Sequence, residues 1–465
     1  MTQTVELPLW LFILIVVFAA VTFASHFLFP SVRWFFRRRL ERAVSRLNTR
    51  LQRPIQPFKL ARRHDTIQRV IYDPEVSHAV QDHARATGTP EAVVFEQARR
   101  FAGEIVPSFS AFTYFSFATR AARLIGNALY DVRLAYADEA GFRAIDPDAT
   151  VVYVMNHRSN MDYVLVTYLS AEQSALSYAV GEWARVWPLS RLIRALGAYF
   201  IRRRSGSELY RAVLATYVRQ ATEAGVTQAI FPEGGLSLTG ALMQPKLGLL
   251  KYIVDGSGER EVVFVPVALN YDRVLEDSVL TDAASRRERR FRARIGVITW
   301  WFVKQVWRKS VGRYQRFGTA AVNFGRPVSL SDFRNSPGDP SIPLARDLMK
   351  RIVEVLPIVT APLVCWLLRE EGAMSESQIA DRIRKLLVSA RDPDLHLSAD
   401  AMITSLPDTM SELNKRGVVV RAGDLYAPSE ARRALLDYYA ASVAPAIEPF
   451  RHAAVAKQIS APAGS

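Results

Sequence analysis

The 465-residue chain has a single cysteine, Cys365, and only seven histidines. One cysteine excludes an intramolecular disulfide, and with no Cys and His at ligand spacing there is no zinc signature, so no metal is expected. Neither a glycine-rich nucleotide-binding loop nor an internal repeat occurs. The composition, 49% hydrophobic and 23% charged, is that of a folded chain with a sizeable core and room for two or three units. No cation stands in the first six residues, and the apolar stretch that follows is too long for a signal-peptide core. A retained anchor is therefore expected, not a cleaved leader.

That stretch, residues 9–29, is interrupted only by Thr22, Ser25 and His26, with Trp10 near one end and Trp34 beyond the other. As a helix it would reach about 30 Å, enough to cross the hydrocarbon of a bilayer. Residues 33–63 then hold ten arginines and Lys59 against the single acid Glu41, a local charge of +10. Such a flank stays on the cytoplasmic side and puts the body of the chain there. A second cluster, 286–316, also sums to +10 and interleaves its cations with Trp300, Trp301 and Trp307. It suits a helix resting on lipid, or a buried aromatic helix with a basic outer face. Because the whole chain is only +15, the remainder is acidic and the charge is focused on these two patches. Membrane lipid is the expected partner and nucleic acid is not, since one patch adjoins the apolar run.

Residues 66–130 read as helical, with Asp73 and Pro74 opening one helix and patterned stretches at 92–103 and 112–129. Strand-like runs at 151–155, 198–201, 227–231, 262–269 and 320–324 then alternate with helical segments such as 207–224 and 247–254, which is α/β organisation. Beyond residue 340 helices return, at 344–356 and 375–390, followed by a hairpin over 416–426 that turns at 422–424. Helices followed by a hairpin suggest a winged-helix-like module. The preceding helix, 401–415, sets Asp408 and Glu412 against Lys415, so it offers no basic face to nucleic acid and a packing role is expected. The tail from 453 is expected to fray.

Directly after the first strand come Asn156, His157, Arg158, Ser159, Asn160, Met161 and Asp162. An aspartate that grips one imidazole nitrogen makes the other a better proton acceptor, which is the chemistry of activating a hydroxyl. Three further segments stand at strand ends: Gly197 to Arg204, Ile230 to Gly235, and Val263 to Asn270.

In order and spacing these four blocks resemble the glycerolphosphate acyltransferase superfamily, most closely its membrane-bound, bacterial-type glycerol-3-phosphate acyltransferase branch. The resemblance runs from about residue 130 to 330. It implies an acyltransferase domain with a mixed central sheet flanked by helices over 136–335. This follows an anchor and basic segment over 1–65 and a helical cap over 66–135, and a mainly helical domain fills 336–465. It also implies a catalytic pair, His157 and Asp162, and an acceptor site including Gly197, Phe200, Arg202 and Arg203, with Glu233, Gly234 and Pro266 carried by the later blocks. Where the family commonly places two phosphate-binding arginines after the third block, this chain has Leu236 and Leu238. The phosphate would then fall to Arg202, Arg203, Arg204, Arg158 or Lys246.

The expected reaction is direct attack of an alcohol on an acyl thioester, without an acyl-enzyme and without a cofactor. Backbone amides of the turn at Glu233, Gly234 and Gly235 are candidate donors to the oxyanion, although Glu233 also suits a structural carboxylate bonded to turn amides. The implied product is lysophosphatidate, made from glycerol 3-phosphate and acyl-CoA or an acyl carrier protein thioester at the cell inner membrane. Dihydroxyacetone phosphate or lysophosphatidate remains an alternative acceptor. A non-enzymatic, membrane-tethered binding protein is the alternative of another class.

Overall fold

The computed structural model describes residues 8–19, 38–39, 42, 44–170, 174–181, 185, 189–202, 206–286, 316–388 and 398–460, without the side chains of 135 and 449–460. Two compact units result, Met1–Pro54 and Ile55–Ser465. In the first, residues 9–19 form a helix with Leu9, Trp10, Phe12, Ile13, Leu14, Ile15, Val16, Val17 and Phe18 all exposed. Among the described residues no helix is long and apolar enough to cross a membrane. The rest of the apolar run, 20–29, and nearly all of the second basic cluster, 287–315, lie outside the described residues, as do Arg203 and Arg204.

The second unit is built on an eight-stranded mixed sheet. Its strands are β1 (Asp131–Ala137), β2 (Thr150–Met155), β3 (Ser177–Gly181), β4 (Tyr199–Ile201), β5 (Gln228–Ile230), β6 (Val262–Tyr271), β7 (Thr319–Phe324) and β8 (Val328–Ser329). They lie in the order β1-β7-β6-β2-β5-β3-β4, with β8 also on β6. From β6 to β4 every pairing is parallel, whereas β7 and β8 run antiparallel to β6. Central parallel strands are covered on both faces, and accordingly every residue of β2 and β6 is buried. The sequence had shown five of these strands; β1, β3 and β8 are additional.

Pro266 stands inside β6 opposite Val154 of β2. A proline lacks the amide that a central strand needs, but here it occupies the gap between the β8-paired and β7-paired parts of β6. Its carbonyl accepts from Gly325 N at 2.8 Å, so its nitrogen faces the same gap and the ladder loses no bond.

Helices α1 (Arg63–Ile71), α2 (Pro74–Thr87) and α3 (Glu91–Ile105) form the helical cap, α2 starting as expected with Asp73 Oδ1 accepting from Glu75 N. A π-helical turn, Thr113–Ala118, runs into α4 (Thr119–Leu129). Then α5 (Met161–Leu169) follows β2, α6 (Leu189–Ala195) precedes β4, and α7 (Glu208–Glu223) follows it. On the C-terminal side α8 (Thr360–Glu371), α9 (Glu376–Val388) and α10 (Ala399–Lys415) accompany a three-stranded sheet, whose hairpin β10 (Val419–Ala422) and β11 (Leu425–Pro428) pairs with β9 (Met374–Ser375). The acidic face of α10 is turned to the large sheet, where Glu412 meets Arg273 at 2.8 Å. The last helix, α11 (Arg433–Ser460), continues through the stretch expected to fray.

Candidate active site

Because β6, β2, β5, β3 and β4 are parallel, their C-terminal ends share one edge of the sheet, the edge where α/β proteins gather their functional loops. His157 lies just past β2, and its Nδ1 is 2.9 Å from Asp162 Oδ2, both side chains being buried. Asp162 sits in the first turn of α5, where a carboxylate meets free backbone amides. The same Oδ2 accepts from Arg158 N at 2.8 Å and Ser159 N at 3.0 Å. Its other oxygen accepts from the Tyr271 hydroxyl. The imidazole lies against the Phe231 ring with centroids 4.0 Å apart, so packing fixes its plane. His157 Nε2 makes no hydrogen bond among the described residues.

The loop from 156 to 162 is pinned along its length. The Asn156 side chain exchanges two hydrogen bonds with Leu269 of β6, donating to its carbonyl at 3.0 Å and accepting from its amide at 2.8 Å. Ser237 N donates to the His157 carbonyl at 3.0 Å. Glu276 accepts from Ser159 Oγ at 2.7 Å, Asn160 N at 3.2 Å and Asn160 Nδ2 at 3.0 Å. Burial pushes the Glu276 carboxyl above its ordinary range, against the pull of the Ser159 and Asn160 donors. Sequence inspection missed Tyr271 and Glu276, since nothing local in the chain shows that they return to residues more than a hundred positions earlier. Their one signal is the gathering of Asp272, Glu276 and Asp277 just after a largely apolar strand.

Glu233 serves the scaffold. Its two oxygens accept from His157 N and Met243 N, each at 2.9 Å, tying the turn after β5 to the histidine. Burial raises its carboxyl, with Arg158 opposing. Arg158 is itself buried, donates to Ser442 O of α11 at 3.2 Å, and keeps Nε and Nη1 without a hydrogen-bond partner among the described residues. Leu236 and Leu238 pack against the core, and the next turn presses on α11. A Cβ at Gly240 would stand 1.9 Å from Tyr438 O. Gly234, at φ 67°, leaves room for the exposed Lys246, whose Cδ would be 2.8 Å from a Cβ there.

The second block stands three strand spacings from β2, about 14 Å. Gly197, at φ 86°, turns the chain into β4, and its carbonyl accepts from Ser177 Oγ at 2.7 Å. Phe200 is buried beneath the guanidinium groups of Arg194 and Arg185, at 5.2 and 6.0 Å from its ring. Arg202 makes a two-pronged pair with Glu104 of α3, at 3.0 and 2.8 Å, and Arg185 reaches the same carboxylate at 2.6 Å. Burial pushes the Glu104 carboxyl up, but the bonds from Arg202 and Arg185 outweigh it and hold it below the ordinary range. Arg194 is shifted down by burial and then by the fields of Arg63 and Arg185. Two arginines thus pair with Glu104, Arg194 stands within the fields of Arg63, Arg185 and that glutamate, and Arg63 donates to the carbonyls of Gly103 and Val106, a net cationic cluster of which sequence inspection named only Arg202. Pro266 is level with Val154 of β2 and with Ile230 at the end of β5, so it lies at the same edge as His157, although no contact between the two is seen. A cavity of about 400 Å³, lined by residues including Asp272, Arg273, Phe317 and Glu412, includes none of the expected site residues.

Two family models match the chain in succession. Acyltransferase covers residues 140–270, and the glycerol-3-phosphate acyltransferase C-terminal region covers 299–445. The chain thus carries an acyltransferase-type domain followed by a region similar to the C-terminal part of glycerol-3-phosphate acyltransferases. A glycerol-3-phosphate acyltransferase of Actinobacillus succinogenes is 30% identical over 291 residues, 60% of this chain and 34% of that one. One of Pseudoalteromonas atlantica is 27% identical over 405 residues, 80% of this chain and 48% of that one. The chain therefore spans between a third and a half of the length of these relatives. A solved 1-acyl-sn-glycerophosphate acyltransferase of Thermotoga maritima aligns at 17% identity and TM-score 0.32, covering 51% of this chain and 75% of its own, too distant a likeness to argue from.

Proposed function

We propose that the protein moves a fatty acyl group from a thioester, acyl-CoA or acyl carrier protein, to the sn-1 hydroxyl of glycerol 3-phosphate, giving lysophosphatidate. The observation that carries this is the His157–Asp162 pair at the same sheet edge as a cationic arginine cluster. The cluster of Arg63, Arg185, Arg194 and Arg202 suits a phosphate dianion, with Lys246 a further cation on that edge. Holding the acceptor by its phosphate supplies the orientation that turns a bimolecular encounter into a directed attack.

In the step itself, His157 Nε2 takes the proton as the alcohol oxygen bonds to the thioester carbon. Asp162 holds the tautomer with the proton on Nδ1 and stabilises the imidazolium. The tetrahedral intermediate then collapses, the C–S bond breaks, and the imidazolium returns its proton to the leaving thiolate. Gly234 N is already committed to the Phe231 carbonyl at 3.0 Å, whereas Glu233 N and Gly235 N make no hydrogen bond among the described residues and are the turn amides left for the oxyanion.

Attachment through residues 9–29 to a cell inner membrane, with the catalytic unit in the cytoplasm, is part of the same proposal. It is supported by a helix over 9–19 that exposes apolar side chains all round, and by the +10 flank. Leu236 and Leu238, where the family commonly has arginines, favour a second reading in which lysophosphatidate or dihydroxyacetone phosphate is the acceptor. Membranes containing the full chain, given each labelled acceptor with acyl-CoA and with acyl carrier protein thioester, decide between them. Labelled lysophosphatidate from glycerol 3-phosphate supports the first reading. Product from another acceptor alone supports the second, and no product from any would favour a tethered binding protein.

A further inference from the structure

Between Ile105 and Tyr130 the chain has 26 residues with no aspartate or glutamate, two cations, and five aromatic residues before residue 118. The structure folds this stretch into the π-turn and α4 and divides it into two faces. Ala111, Tyr114, Ala118, Ala122, Gly126 and Leu129 point inward. On the other side Phe112, Phe117 and Leu124 are 71, 57 and 67% exposed, with Arg120, Arg123 and Asn127 beside them. The π-turn matters here. Its wider winding carries five residues through about one turn, so Phe112 and Phe117 share a stripe that a regular α-helix would splay apart, and Leu124 continues that stripe two α-turns later.

We propose that this face, Phe112, Phe117 and Leu124 flanked by Arg120 and Arg123, rests in the headgroup layer of a bilayer containing anionic phospholipid. Large apolar side chains with cations beside them and no acid along 26 residues match a surface that is apolar beneath and negative above. The geometry also gives the contact a use. The inward face of α4 packs on α5, where Leu165 and Tyr168 lie within 4 Å of a Cβ at Gly126. The first turn of α5 holds Asp162. The lipid-facing layer is thus one helix removed from the base. The proposal rests on the membrane attachment of the proposed function and not on its chemistry.

The test measures depth in the full chain reconstituted into phosphatidylcholine vesicles with and without phosphatidylglycerol. Cys365 is buried, with its thiol pushed up to about 12 by burial, so a cysteine introduced at the surface is the reactive one. Fluorescent labels on Phe117→Cys and Leu124→Cys are compared with one on Asp82→Cys, an exposed charged position on α2. Quenchers attached to lipid acyl chains are expected to dim the first two several-fold more than the third, with aqueous iodide showing the reverse order. Phosphatidylglycerol should deepen the difference, and Phe112→Ser with Phe117→Ser should reduce it for the label at 124. Iodide access equal to that at residue 82 would overturn the proposal by showing the face open to water. Protection from both quenchers would overturn it too, by showing the face covered by protein, either a second copy or residues 9–29. Because no arm uses acyl transfer, failure here is separable from failure of the proposed reaction.

Discussion

Tyr271→Phe removes one hydroxyl from the most heavily bonded carboxylate in the site. Asp162 accepts from His157, two backbone amides and Tyr271, and Tyr271 supplies the only hydrogen bond to Oδ1 among the described residues. The ring itself stays packed against Tyr130, with centroids 5.4 Å apart, so the substitution leaves the core shape nearly intact. A hydrogen bond to a charged acceptor contributes about 1.5–3 kcal/mol, and its loss inside a buried site is not made good by water. Asp162 would then be free to turn about its Oδ2 contacts and to weaken its hold on the imidazole. If the full loss falls on the transition state, at roughly 1.4 kcal/mol per factor of ten, kcat falls about ten- to a hundredfold. Tyr271 touches no proposed substrate contact, so KM should change little. The assay is steady-state transfer from labelled glycerol 3-phosphate by membranes containing each variant, with a urea midpoint measured in parallel. A variant with kcat within twofold of wild type and an unchanged midpoint would refute the argument that the phenol holds Asp162 in place.

Glu233→Gln separates a scaffold role from a substrate contact. One carboxylate oxygen becomes an NH₂ facing the amide of either His157 or Met243, and donor against donor should cost about 1–3 kcal/mol of stability; unaltered unfolding with raised KM would argue for a substrate contact instead. Gly240→Ala places a methyl on the Tyr438 carbonyl at positive φ and should destabilise by roughly 2–5 kcal/mol, visible in thermal unfolding, whereas an unchanged midpoint would mean that α11 does not press on this turn. Lys59 is buried, donating to Ala175 O at 2.6 Å, and burial holds its amine well below 10.5. Between its folded value and 10.5 the unfolded chain binds the extra proton, so native stability rises with pH across that window. The stability difference between wild type and Lys59→Met should therefore shift toward wild type as pH is raised from 7 to 10, and a flat difference would contradict it.

The parts of this molecule legible in the sequence were those encoded by neighbours in the chain. The run Val151 to Met155 is continuously apolar because β2 is covered on both faces, and that pattern reads directly as a buried strand. The spacing from His157 to Asp162 placed the pair because both ends of one short turn lie within the motif. β1 was hidden because Arg133 and the edge position break its apolar pattern, and β3 because Ser177 to Gly181 is too short and too small in side chain to stand out. Arg202 was visible, but its partner Glu104 lies 98 residues earlier on a cap helix, so the charge that tempers it could not be read locally. Tyr271 and Glu276 were missed for the same reason. Glu233 shows a further limit, since a motif residue beside a glycine looks the same whether it binds substrate or holds the turn.

The central claim is that His157, held by Asp162, removes the proton from an acceptor hydroxyl. Its most direct test is acyl transfer to labelled glycerol 3-phosphate by His157→Ala, expressed at the wild-type level and with an unchanged unfolding midpoint. Loss of a positioned general base predicts a fall of about a hundred- to ten-thousandfold in rate with product still formed by wild type. Equal rates from the two proteins would contradict the account and remove His157 from the chemistry.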